Sequence, residues 1–78
     1  MLQTSSNLAR HMITPEDVEE LFANEPAIVE YEFLEQEHRW SAVGATNSLR
    51  VLVIVFTVRG ERIRPITGWV ADRRTRQE

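Results

Sequence analysis

The chain has no cysteine and no lysine, and only three glycines and three prolines in 78 residues. Without cysteine there is neither a disulfide framework nor a thiolate metal site, and two histidines without patterned carboxylates argue against a structural metal. Glycine is too sparse for a phosphate-cradling loop, and no zinc spacing or nucleophile elbow occurs. Long hydrophobic runs are missing as well. The longest, Val51 to Phe56, falls far short of the roughly 20 residues a membrane helix needs, and the first twelve residues lack the apolar centre of a signal peptide. A cytoplasmic protein is the expectation. At this length the chain is read as one small domain over 1–78, with residues 1–10 a frayed lead-in or one weak turn.

What is present is the composition of an ordinary soluble globule, 42% hydrophobic and 27% charged. Its charge is divided along the chain. Residues 1–38 hold one arginine against nine acids, a charge of −8, whereas residues 39–78 hold eight arginines against three acids, a charge of +5. Such a field draws an anionic partner to the basic end. The plainer alternative, that the two ends satisfy each other across one surface, stays open.

Local signals converge at Thr14-Pro15-Glu16-Asp17, where threonine caps, proline suits the first helical position and the acids favour the positive end of the dipole. Ile13 and Val18 occupy the two positions of a hydrophobic staple, and Val18, Leu21 and Phe22 form an apolar stripe. Asn24 and Pro26 end it, so the spacing predicts a helix over about 15–24. From Ala27 the period becomes two: Val29, Tyr31 and Phe33 alternate with Glu30 and Glu32, as in a half-buried strand. A second strand is expected from about His38 to Ala45. A third runs from Leu49 to Val58 with both faces apolar, as befits the middle of a sheet. Beyond a tight turn at Arg59-Gly60-Glu61, Arg62 to Thr67 reads as a fourth strand, which Pro65 confines to an edge or a bulge. Asp72 caps a short final helix. The expected fold class is α+β, with an antiparallel four-stranded sheet, an N-terminal helix packed on it and a short C-terminal helix.

Candidate chemistry rests on His11, His38 and the arginines. Arginine grips phosphate in bidentate fashion and neutralises charge that builds on it in a transition state. Arg62 and Arg64, two apart on one strand, share a face where a phosphate can lie; the alternative is a solvated face pairing with Glu30 or Glu32. Arg73, Arg74 and Arg76 with Trp69 combine positive charge and a flat ring, the pairing that single-stranded nucleic acid binding uses; they read equally as a solvated helix end and a core aromatic. His11, just ahead of the first helix, can carry a proton at neutral pH, whereas His38 falls on the strand face of Trp40 and Ala42.

Taken together, Ala9-Arg10-His11, the run from Ile13 to Phe22, Arg39-Trp40 with Gly44, Val55-Phe56-Thr57 before Arg59-Gly60-Glu61, and Ile63-Arg64 with Ile66 form a familiar order. Over about residues 9–76 the chain resembles the BrnT-like toxins, small RelE-superfamily proteins of bacterial toxin–antitoxin pairs. The resemblance implies a RelE-like sheet flanked by helices, an antitoxin partner and an endoribonuclease that needs no metal or cofactor. It implies a proton carrier at His11 and phosphate handling by Arg64, Arg73 and Arg76; joined to the residue chemistry above, the expected catalytic residues are His11, Arg64 and Arg73, and the expected RNA-binding ones Arg39, Arg62, Trp69, Arg74 and Arg76. Trp69 stands where members commonly carry an arginine, and Thr75 where they carry a glutamate. Two other readings accompany this one: a catalytically weak interaction module, as a homodimer or an antitoxin-like complex, and a nucleic-acid binder without chemistry.

Overall fold

The computed structural model describes Leu8 and residues 12–71. One helix, α1 (Pro15–Ala23), precedes four strands, β1 (Ala27–Leu34), β2 (Glu37–Ala45), β3 (Val51–Arg59) and β4 (Arg62–Val70). The strands pair antiparallel in chain order, a meander in which β2 and β3 are internal and β1 and β4 are edges. The α+β class therefore holds. The expected C-terminal helix, with its cap Asp72, lies outside the described residues.

Helix α1 forms where its caps dictate. The Thr14 hydroxyl accepts from the Asp17 amide at 3.1 Å while the Thr14 amide donates to the Asp17 carboxylate at 3.0 Å, a reciprocal capping box with Pro15 at the first turn. Ile13 and Val18 are both buried, as a staple requires. At the other end Asn24 caps the backbone, and its side-chain amide donates to the Ala45 carbonyl at 2.9 Å and to Asn47 at 3.1 Å, tying the helix to the β2–β3 connection. Val18 and Leu21 then meet Ala42, Leu52, Ile54 and Phe56 in a single core, joined by Leu8. Gly44 permits the close approach, since a Cβ there would stand 2.9 Å from that of Pro26 and 3.2 Å from Cγ of Leu21.

Three expectations need correction. Strand β1 is not half-buried: every one of its residues is exposed. A helix is about 10 Å across and strands lie about 4.8 Å apart, so one helix covers about two strands of a four-stranded sheet. Here it covers β2 and β3. The third strand starts at Val51 rather than Leu49, because Leu49 adopts a left-handed φ of 66° in the turn that Thr46 organises through its hydroxyl and the Arg50 amide. The fourth strand runs past Thr67 to Val70. Pro65 is accommodated as expected: β4 is an edge, and the register slips between Val55–Thr67 and Phe56–Pro65, a bulge that leaves Ile66 as the extra residue.

Candidate nucleic-acid interface

Because α1 and the core occupy one face of the sheet, the alternation of β2, β3 and β4 leaves a second face without a helix among the described residues. Ala42, Ile54, Phe56 and Pro65 lie on the helix face, so by alternation the residues between them lie on the other, where Val53 and Thr57 are buried and the arginines at its end reach outward. The register sets Glu32 opposite Arg39, Thr57 opposite Arg64, Leu34 opposite Glu37 and Arg59 opposite Arg62. Four arginines, at 39, 59, 62 and 64, therefore share one end of this open face. Trp69 and Thr67 continue it along β4.

The arginines are not equivalent. Glu37 takes two of them: Nε of Arg39 at 3.1 Å and a terminal nitrogen of Arg59 at 3.6 Å. Arg62 and Arg64 are exposed, and neither has a carboxylate partner among the described residues. Neither pairs with Glu30 or Glu32. Arg50 belongs to the architecture instead, because it bridges to Asp17 at 3.2 Å and donates to the Met12 carbonyl at 3.1 Å, holding the start of α1.

Two hollows flank the cluster. Strands β2 and β3 pair only as far as Trp40–Phe56, while the β1–β2 and β3–β4 hairpins continue to Leu34–Glu37 and Arg59–Arg62. Their tips thus part, and a cleft of about 460 Å³ opens between them, lined by His38, Arg39, Thr57 and Arg59 among others. The Thr57 hydroxyl spans the parting by donating to the His38 carbonyl at 2.7 Å, so this buried threonine replaces a missing rung of the ladder. A smaller trough of about 310 Å³ runs along the same face between Glu30 and Glu32 on one side and Thr67 and Trp69 on the other, with Arg39, Ser41 and Val55 along it. Trp69 is 40% exposed there.

Of the residues that the sequence singled out, the structure brings Arg39, Arg62, Arg64 and Trp69 onto one face. His11, Arg73, Arg74 and Arg76 lie outside the described residues. Glu37 and Thr57 were missed, and Arg59, although counted among the candidate arginines, was given no place in the site. Alternation across the Gly60 turn was the available signal for Arg59, which sits opposite Arg62; the double role of Glu37 depends on the parting of the tips, which no pattern announces. Among the described residues no group of three histidines or carboxylates could hold a metal ion, and no helix is long and apolar enough to cross a membrane.

Arginines on one face, with an indole farther along the same strand, are equipped to hold phosphodiester and base on one strand of nucleic acid. Consistent with that chemistry, residues 3–75 match the model of a family described as the ribonuclease toxin, BrnT, of type II toxin–antitoxin systems. The chain belongs to this family. The BrnT match spans α1 and all four strands, so the open face is part of the family domain rather than an appendage. None of the curated proteins matches the chain.

Proposed function

We propose that this BrnT-family chain is an endoribonuclease toxin that holds single-stranded RNA on the open face of its sheet and cleaves it without a metal. The observation that carries this reading is the gathering of Arg39, Arg59, Arg62 and Arg64 with Trp69 on the face opposite the helix. In the reaction the ribose 2′-oxygen attacks the adjacent phosphorus, the bond to the 5′-oxygen breaks, and the 2′-proton passes to a base while the leaving oxygen takes one up. Arg64 neutralises charge on the pentacovalent phosphate, aided by Arg73, and His11 carries the proton. Arg39, Arg62, Arg74 and Arg76 hold flanking phosphates, and Trp69 stacks on a base. The RelE-like kinship and the antitoxin partner belong to the same reading.

The test is incubation of the purified full chain with single-stranded RNA in the presence of a chelator. Cleavage leaving 2′,3′-cyclic phosphate ends, abolished by Arg64→Ala in a protein whose melting is unchanged, is the expected result. Intact RNA at high protein concentration refutes it. The interaction-module reading draws on a different observation, the bare apolar edge at β1.

A further inference from the structure

Strand β1 presents three features, the last of them on the arginine face itself. First, it is a sheet edge, so one side of its backbone meets no strand among the described residues. Second, its apolar side chains lie open: Ile28, Tyr31 and Phe33 are 53%, 52% and 57% exposed. Tyr31 and Phe33 are the outer end of a continuous row of rings on the helix side of the sheet. The row runs from Phe22 to Phe56 at 5.0 Å, to Trp40 at 5.8 Å and to Tyr31 at 5.5 Å, then through His38, hydrogen-bonded to the Tyr31 hydroxyl, to Phe33 at 4.7 Å. The helix covers the first rings and leaves the last bare. Third, the other face of the same strand carries Glu30 and Glu32, neither of them paired among the described residues.

Exposed apolar edges of this kind are ordinarily blunted or occupied. The charges say by what. Between Met12 and His38 the sequence has nine carboxylates and no arginine or lysine, which repels nucleic acid from this edge. A second copy adding its own β1 would set Glu30 and Glu32 beside their counterparts, and like charges facing across strands are destabilising. The occupant that fits is extended, apolar on alternate positions and basic on those between.

Resting on the toxin–antitoxin reading, we infer that β1 is the antitoxin's docking edge, and that the antitoxin contributes a fifth strand whose apolar side chains meet Tyr31 and Phe33 and whose lysines or arginines meet Glu30 and Glu32. Main-chain hydrogen bonds then supply affinity and the alternation supplies specificity. The register of β1 fixes the pattern, because its bulge at Val29 restarts the alternation and leaves the stretch from Glu30 to Leu34 regular.

The experiment co-expresses the full chain with the polypeptide of the adjacent reading frame and measures hydrogen exchange in the complex and in the free protein. Protection of the amides of residues 27–34 on complex formation is expected. The double variant Glu30→Arg, Glu32→Arg should bind the same polypeptide at least about tenfold more weakly, as should Phe33→Ser, in line with the cost of losing interfacial charge or ring contacts. A partner that binds and blocks RNA cleavage while protecting other elements, with the charge reversal neutral, overturns the docking edge and leaves the ribonuclease reading standing. Protection of β1 in the free protein that grows with concentration means a second copy and also overturns it. If nothing co-purifies, the inference fails, and cleavage by the free protein then decides whether the ribonuclease reading fails with it.

Discussion

The strand at one edge of the sheet and the strands beside it obey opposite rules. Residues 12–36, which hold α1 and β1, carry eight acids and no basic residue, whereas residues 37–71, which hold β2 to β4, carry five arginines and His38 against Glu37 and Glu61. Because the strands are laid down in chain order, this linear division becomes a spatial one across about 15 Å of sheet, given the spacing of strands. A topology with a crossover would have interleaved the two kinds of strand and flattened the field. The meander thus turns a division of composition along the chain into a division of charge across the sheet.

The covered and bare parts of the helix side offer the largest test of that division. Leu21 is fully buried against the sheet, and Leu21→Ala should cost about 2–5 kcal/mol by the usual loss of transfer energy plus cavity. Phe33, on the same side of the sheet but past the reach of α1, should cost less than about 1 kcal/mol when cut to alanine, since more than half of it is already in water. Chemical denaturation of the two variants checks this. Equal losses would mean that β1 is covered in solution.

Next comes the arginine face itself. Arg64→Ala should lower RNA cleavage by about two orders of magnitude, on the scale of removing one donor that stabilises transition-state charge, with no change in melting temperature because the side chain is exposed. Arg50→Ala supplies the contrast. That residue ties β3 to the start of α1, so its loss should lower stability while sparing the cleavage step. Steady-state rates and thermal melts on the same two proteins separate phosphate chemistry from architecture.

A smaller effect bears on the acid that intrudes among the arginines. Glu37 holds Arg39 and Arg59, both pairs being partly or well exposed, so the pairs themselves contribute little to stability. Glu37→Gln should release both guanidinium groups, strengthen single-stranded RNA binding severalfold and steepen its salt dependence by about 0.7 in the log–log slope for each phosphate gained. A flat or shallower response would mean that Glu37 positions those arginines rather than competing for them.

How much of this was legible in the residues depended on the range of the interaction. Helix α1 was readable almost to the residue because Thr14, Pro15, Asp17 and the Ile13–Val18 staple act within one turn. Arg62 and Arg64 could be assigned to one face because alternation is equally local. The sharing of Glu37 was not readable, since it depends on where β2 and β3 stop pairing, with Thr57 satisfying the His38 carbonyl beyond that point. Nor was the bareness of β1: its alternation signals one face fit for burial, but whether anything lies on that face is decided by the width of a single helix.

The smallest expected effect lies at the junction of the two regions, in the turn that joins acidic β1 to basic β2. Glu35 and Gln36 both adopt left-handed backbone, with φ of 52° and 61°, closing a two-residue hairpin between Leu34 and Glu37. Such turns favour Asn-Gly because side chains with a Cβ pay for that region of φ and ψ, whereas the hairpin between Arg59 and Arg62 has Gly60 for its left-handed position. Replacing Glu35 by Asn and Gln36 by Gly should therefore stabilise the protein by about 1 kcal/mol, read as a rise in the midpoint of denaturation. Since Gln36 and Glu35 line the cleft between the hairpin tips, the same variant tests whether strain in the turn serves the site. Stability gained with cleavage unchanged means that the turn is only a connection; stability gained at the expense of cleavage means that the tip must flex to admit RNA.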